Sequence, residues 1–203
     1  EGAILSQCYQ LGLEATLEFT KSRGHATELA HQGTLDKKYE TIFAVGGDGT
    51  VNEVAKAVVH SNQVMGILPC GSGNGLARHL GIPMKIKDAL PMIGSASVIA
   101  MDSMLVNEQL SINISGIGFD GHIAGMFGKD GKRGLISYCK LVLREFLRYK
   151  EFEVNFQIDD SSFHQKAFVI AFANSSQFGN NAHIAPRASV CDGLLDISVI
   201  RKI

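Results

Sequence analysis

No run of apolar residues in this 203-residue chain approaches the ~20 that a helix needs to cross a bilayer, so any contact with a membrane is expected to be peripheral. Neither sign of charge is in excess. Nineteen Lys and Arg stand against twenty Asp and Glu, a formal net charge of −1, which disfavours nucleic acid as the main partner. Cysteine is sparse: Cys8, Cys70, Cys139 and Cys191 form no CxxC pair and no dense spacing. That argues against a disulfide framework and fits a reducing cytoplasm. Cys70, beside a glycine-rich loop, reads as a small buried side chain. The seven histidines are scattered, and no two have the spacing of a zinc site. The residues given show no signal-peptide pattern, internal repeat or low-complexity tract. The first residue is Glu1 rather than an initiator methionine, and both ends of the chain are expected to be cut. With 45% hydrophobic and 19% charged residues, the composition is that of a soluble globular protein able to bury one large core or two small ones.

Hydrophobic periodicity divides the chain in two. In the first half, Ala3–Leu11 reads as a helix, Ala15–Thr20 as a strand, His25–His31 as a helix and Thr41–Val45 as a short apolar strand. That strand stops at Gly46-Gly47-Asp48-Gly49, and Val51–Val59 follows with apolar residues at helical spacing. Met65–Leu68, then Pro69-Cys70-Gly71-Ser72-Gly73-Asn74-Gly75, then a helix through Leu80 repeat the theme. Strands alternating with helices at this pitch imply βαβ units and a parallel sheet. After about residue 95 the grammar changes. Val98–Val106, Leu110–Ser115, Phe152–Ile158, Ser162–Ala173 and Leu194–Ile200 are strand-like, with one long helical stretch over Leu135–Tyr149. Asn107–Gln109, Asp159–Ser161 and Gly179–Asn181 read as turns. The fold expected is an α/β domain over residues 1–95 and an antiparallel, β-sandwich-like domain over 96–203. The cleft between them is the natural place for a site.

Gly46-Gly47-Asp48-Gly49-Thr50 joins a strand to a helix. Glycines there let the backbone approach a ligand, and the free N–H groups and positive end of the helix suit a phosphate. No Gly-Lys-Ser/Thr follows, so this is not a Walker A loop. Charge neutralisation would come from a metal, and Asp48 is the candidate to hold Mg²⁺ on the phosphates. The plain alternative is that Thr50-Val51-Asn52-Glu53 is a capping box and Asp48 a turn residue. The second loop, Gly71-Ser72-Gly73-Asn74-Gly75, also follows a strand and opens a helix. Two such loops at the carboxyl ends of parallel strands face one crevice. Ser72 and Asn74 could then bond phosphate or ribose, or serve only as caps and turn-formers.

GGDGTVNE and, about twenty residues on, ILPCGSGNGLARHLGIP resemble the diacylglycerol kinase catalytic-domain family, which includes sphingosine and ceramide kinases, and above all its bacterial soluble lipid kinases. The likeness continues through Phe19–Ala26, Asp102, Val106-Asn107, Gly116–Asp120, Ala185–Ala188 and Asp192–Asp196, nearly the whole chain. It implies an N-terminal nucleotide-binding domain like that of NAD kinase and phosphofructokinase. It also implies an ATP- and Mg²⁺-dependent lipid kinase that moves the γ-phosphate of ATP onto a lipid hydroxyl. Thr20 is similar to a threonine near the nucleotide, Gly46–Asn52 (Gly46, Gly47, Asp48, Gly49, Thr50, Val51, Asn52) to the phosphate loop, and Ser72 with Gly73 and Asn74 to the second loop. Asp192 with the carbonyls of Ser189 and Leu194 resembles a structural Mg²⁺ site, and Asp102 an aspartate tied to it through water. Asp192-Gly193 is equally the signature of a hairpin turn.

Two departures stand out. The Asn-Pro-x-Ser-Gly-like opening of the family has no match, and the chain stops at Ile203 before the Asp-Gly-Glu-like motif that carries the general base. The base is therefore expected beyond Ile203. Lys140, Arg144 and Arg148 recur at i, i+4 and i+8, with Lys132 and Arg133 ahead and Leu141, Phe146 and Leu147 nearby. Such a helix could rest on anionic headgroups or present an ordinary solvated face. Gly116–Gly121 and Gly125–Gly131 could form a mobile rim to an acceptor pocket or a plain loop. The location implied is cytoplasmic, peripheral at the inner membrane face. A homodimer is compatible with this reading. NAD kinase-like phosphorylation of a soluble acceptor and a catalytically silent lipid- or nucleotide-binding module are the rival readings.

Overall fold

The computed structural model describes residues 1–36, 38–126 and 135–202. The chain divides into two compact units, Glu1–Asn113 with Asn174–Leu194, and Ile114–Ala173 with Leu195–Ile203.

In the first unit, strands β1 (Thr41–Gly46) and β2 (Val64–Pro69) pair in parallel, with Thr41 opposite Val64 and Gly46 opposite Pro69. Helices α2 (His25–Leu35), α3 (Asp48–Val58) and α4 (Gly75–His79) contribute to one core with Ala44 and Ile67. Helix α1 (Gly2–Gln10), α5 (Ile86–Ala89) and the 3₁₀ turn Leu90–Gly94 contribute to a second with Phe43, Val45 and Leu68. Neighbouring residues of each strand thus enter different cores, which is why both strands read as continuous apolar runs rather than alternating ones. Ala26 and Ala30 of α2 and Ala55 of α3 are buried, and small side chains let these helices lie close. The βαβ expectation holds.

Three details of the first unit differ from it. Ala15–Thr20 is not a strand: the segment has no ladder partner among the described residues and Phe19 is 63% exposed. Helix α3 starts at Asp48 with Gly47 as its N-cap residue, three residues before the expected Val51. The capping box is therefore not formed. Thr50 lies inside the helix, and Glu53 accepts the N–H of Gly24 at 2.9 Å instead. Cys70 is exposed rather than buried, because the chain has already left the sheet after Pro69.

Of the expected strand Val98–Val106 only β3 (Met104–Val106) forms. It makes a hairpin with β4 (Gln109–Ser111) through Asn107 and Glu108, both at positive φ as two-residue hairpin turns require. The segment Asn174–Leu194 then returns to this unit carrying buried polar residues: Asn174, Ser175, Ser176 and Gln177. It is pinned at His79, whose Nδ1 accepts the Ser176 N–H at 3.1 Å and lies 2.9 Å from the Ser176 hydroxyl.

In the second unit, β5 (Ile114–Gly118), β8 (Val169–Ala173) and β9 (Asp196–Ile200) form an antiparallel sheet with β8 in the centre. The hairpin β6 (Phe152–Ile158) and β7 (Ser161–Ala167) shares a core with Ile170. On the other side, Val169 packs with α6 (Phe119–Met126) and α7 (Leu135–Arg148). The expected single strand Ser162–Ala173 is broken at Phe168, where the chain passes from pairing with β6 to pairing with β5 and β9. The glycine-rich stretch from Gly116 is regular structure rather than a plain loop. It ends β5 and opens α6, while residues 127–131, with Lys132 and Arg133, lie outside the described residues. Within α6, burial pushes the Asp120 carboxyl above its ordinary range, partly offset by the N–H groups of Gly121 and Asp120 itself. Its Oδ1 has no hydrogen-bond partner among the described residues.

Two ionisable groups give the stability separate pH windows. Burial, with the nearby His183, lowers the His79 pKa below 6.5. The unfolded chain binds that proton more readily, so the contribution is complete above 6.5 and is lost as pH falls below it. Between α6 and α7, Glu145 meets His122 Nε2 at 3.1 Å and Arg144 Nε at 2.8 Å, and these partners hold its carboxyl below 4.5. Its contribution is present above 4.5 and is lost only as pH falls through the lowered value. Thermal melts across pH should show both losses. His79→Gln should flatten the profile just below 6.5, and Glu145→Gln should flatten it only below 4.5.

Candidate functional site

Parallel register brings the two strand ends level, and the loops that leave them touch. The Cys70 N–H donates to the Gly46 carbonyl at 2.8 Å. A Cβ on Gly47 would stand 3.1 Å from Gly71 Cα, so two backbones meet where only glycine leaves room. Asn74 holds the second loop closed. Its side chain accepts the Gly71 N–H at 3.0 Å and donates to the Gly71 carbonyl at 2.8 Å, with its own φ at 52°. Arg78 Nε donates to the Gly73 carbonyl at 3.0 Å and its Nη2 reaches Asn180 at 3.4 Å. Gly179, at φ 120°, lies so close that a Cβ there would stand 2.6 Å from the Gly73 carbonyl carbon.

The structure gathers most of the residues read from the sequence. Gly46 ends β1, Gly47 is the N-cap residue of α3, and Asp48, Gly49 and Thr50 form its first turn, whose N–H groups have no intrahelical acceptor. Gly71, Ser72, Gly73 and Asn74 form the facing loop, with Ser72 exposed and Asn74 buried. Asp48 joins the two. Its Oδ1 accepts the Leu76 N–H and the Asn113 carboxamide, each at 3.4 Å. Val51 packs in the core, and its N–H closes the first turn on the Gly47 carbonyl at 3.0 Å. The Asn52 carboxamide is committed to the Leu110 carbonyl at 3.0 Å and the Ile112 N–H at 3.2 Å. Thr20 is exposed and makes no hydrogen bond to either loop among the described residues. Its segment is tied down at Gly24 by Glu53.

A second cluster gathers the metal candidates. Asp102 Oδ2 accepts the Gly193 N–H at 2.7 Å, and the Asp102 N–H donates to the Val190 carbonyl at 2.7 Å. Asp192 accepts the Leu194 N–H at 3.0 Å, and the Ser189 hydroxyl accepts the Cys191 N–H at 3.4 Å. Asp102 and Asp192 therefore belong to one loop contact, together with the Ser189–Leu194 backbone. No group of three or more His, Cys, Asp or Glu side chains placed to hold a metal occurs among the described residues. The donors on offer are carboxylate and carbonyl oxygens, the set that suits a hard cation such as Mg²⁺. Asp48 offers the same chemistry through Oδ2, which has no donor among the described residues.

Asn113, Ser175, Arg78 and Asn180 were not legible as site residues. Arg78 lies in α4, within the second-loop motif but without a role assigned to it, whereas Asn113 lies between β4 and β5 and Ser175 and Asn180 on the return segment, at spacings to the loops that carry no motif. The one signal for Asn113 was a carboxamide within an alternating apolar run, Leu110–Ser115.

Residues 3–106 match the family described as the diacylglycerol kinase catalytic domain, and residues 116–203 match the YegS C-terminal NAD kinase beta sandwich-like domain. A probable lipid kinase YegS-like protein of Pseudomonas aeruginosa is 29% identical over 195 residues, which cover 94% of this chain and 64% of that protein. A Bacillus subtilis diacylglycerol kinase is 28% identical, with 98% of this chain and 67% of that protein covered. The solved structure of a putative diacylglycerol kinase from Bacillus anthracis superposes with a TM-score of 0.78 at 24% identity, covering 99% of this chain and 70% of that one. The chain thus spans about two thirds of the length of these relatives. With a catalytic-domain match over more than half its residues, followed by the matching C-terminal domain, this chain belongs to the diacylglycerol kinase catalytic-domain family.

Proposed function

We propose that the protein transfers the γ-phosphate of ATP to a lipid hydroxyl, in a reaction that requires Mg²⁺. The observation that carries this reading is the pair of touching glycine loops, with the α3 N-terminus at one side and Asp48 between them. Phosphoryl transfer asks mainly for positioning and charge stabilisation. Backbone N–H groups of Asp48, Gly49 and Thr50 suit phosphate oxygens, and the exposed Ser72 hydroxyl and loop backbone suit phosphate or ribose. Asp48 Oδ2 would hold Mg²⁺, which supplies the positive charge that a Walker lysine gives elsewhere. Asp192 with the Ser189 and Leu194 carbonyls would hold a second, structural Mg²⁺, with Asp102 reaching it through water. The group that takes the proton from the lipid hydroxyl is proposed to lie in the third of the relatives' length that this chain does not span. Family members named for lipid and diacylglycerol kinases support a lipid acceptor over NAD.

The lipid implies an interface. No helix among the described residues is long and apolar enough to cross a membrane, and the proposed location is cytoplasmic, at the surface of the membrane's inner face. Helix α7 supports this. Lys140, Arg144 and Arg148 are exposed along it, and Leu143 and Leu147 are 70% and 81% exposed. At its end, Arg148, Lys150, Lys166 and Lys202, with Glu151 among them, line an open depression of about 520 Å³. Cations beside exposed leucines suit an anionic bilayer surface.

Incubating the full-length protein with γ-labelled ATP, Mg²⁺, membrane lipid extract and NAD, followed by solvent extraction, tests the reaction. Label is expected in the organic phase. Label on NAD would transfer the protein to the soluble-acceptor reading, and label on neither would favour a binding module. Asp48→Ala should lower transfer by at least about 100-fold with the circular dichroism spectrum unchanged. Asp192→Ala should lower the melting temperature measured in Mg²⁺, by about 2–4 °C for each kcal/mol of metal binding lost, while the melt in EDTA stays that of the unsubstituted protein.

A further inference from the structure

Asp48 is the acidic side chain between the two loops, yet its own helix does not orient it. Among the described residues its hydrogen bonds come from elsewhere and fall on one oxygen: Oδ1 takes the Leu76 N–H and the Asn113 Nδ2–H, each at 3.4 Å. Asn113 is itself held. Its Oδ1 accepts the hydroxyl of Ser175, a residue with no exposed surface, and its backbone carbonyl accepts the Asn174 N–H at 2.9 Å. The direction of the carboxamide follows from chemistry. An ionised carboxylate only accepts, so the NH₂ end must face Asp48, and the oxygen end is left for the hydroxyl proton of Ser175. Asn174 steadies the same corner by donating to the Ile112 carbonyl at 3.0 Å and the Asp102 carbonyl at 2.9 Å.

Oδ2 is placed differently. It lies 3.1 Å from where a Cβ on Gly73 would stand, so the missing side chain of Gly73 leaves it uncovered. We propose that Asn113, held by Ser175, is a positioning residue that turns the Asp48 carboxylate so that Oδ2 faces the nucleotide-bound Mg²⁺. This rests on the reading that Asp48 holds that ion. Fixing one oxygen with two N–H donors leaves a single ligand atom in a defined direction. Mg²⁺ demands near-octahedral geometry and takes few protein carboxylates, and it gains from such fixing. Without Asn113 the carboxylate keeps its charge but can rotate about its Cβ–Cγ bond.

Calorimetric titration of ATP into the full-length protein, once with Mg²⁺ and once with EDTA, separates this role from a structural one. Asn113→Ala is expected to weaken binding of ATP with Mg²⁺ by about 10-fold while changing binding in EDTA less than about twofold. Ser175→Ala should act in the same direction by a smaller factor, and it carries the test if Asn113→Ala does not fold. Adding Asn113→Ala to Asp48→Asn should cause no further loss, because Asn113 acts through Asp48. Equal weakening with and without Mg²⁺, an additive double variant, or unsubstituted behaviour of both Asn113→Ala and Ser175→Ala would each overturn the proposal. Asp48→Asn binding ATP with Mg²⁺ as tightly as the unsubstituted protein would instead overturn the assignment of Asp48 on which it rests.

Discussion

Gly47 and Gly71 meet backbone to backbone, and the organisation of the first unit depends on that contact. The parallel register sets Gly46 opposite Pro69, so each loop leaves its strand at the same level. With no side chain on either glycine, the turn into α3 and the turn into α4 close against each other. A single carboxylate, Asp48, can then span from the first residue of one helix to the N–H of Leu76 in the other. The second loop is held from its far side as well, by Gly179 against Gly73 and by Arg78 between Gly73 and Asn180. A crevice built this way needs little rearrangement to receive an anion, since its donors are backbone groups already fixed by strands and helices.

The parts of the fold that were legible are those where burial alone decides the pattern. Thr41–Val45 and Met65–Leu68 contribute to a core on both sides, so they appear as short apolar runs, the first ending in Gly46-Gly47 and the second in Pro69-Cys70-Gly71. Val51, Val54, Ala55 and Val58 announce α3 by spacing. Misreadings arose where a partner far along the chain decides. Ala15–Thr20 has the composition of a strand but no ladder partner among the described residues. Thr50 and Glu53 have the spacing of a capping box, yet Glu53 is drawn away by the N–H of Gly24, and the helix begins early enough to place Asp48 in its first turn. The pattern of Gly116–Gly121 hid a strand end and a helix start, because glycine reports conformational freedom without saying which conformation is used.

The site followed the same division. The closeness of Asp48 to the two loops could be anticipated because both glycine-rich turns follow a short apolar strand and open a helix. The supporting polar shell could not. Asn113 and Ser175 lie 65 and 127 residues beyond Asp48, on elements whose periodicity marks them only as strand and loop. Asp102 meets Gly193 across 91 residues; only the family resemblance placed Asp102 near this loop, and it did so through a metal at Asp192 rather than through Gly193.

The return of Asn174–Leu194 to the first unit sets an order of events for a chain emerging from the ribosome. The contacts of His79 with Ser176, Arg78 with Asn180 and Asp102 with Gly193 each close a loop of 90 residues or more, with Ile114–Ala173 in between. Such long-range closures come late in folding because the chain entropy is lost before the contacts compensate. The sheet β1–β2 and helices α2 and α3 can assemble from local sequence as they are synthesised. The polar seam that orients Asp48 forms only after residues 174–177 have emerged. The crevice can therefore take its final geometry only in a chain that already contains the sixty residues of Ile114–Ala173 and the return segment after them.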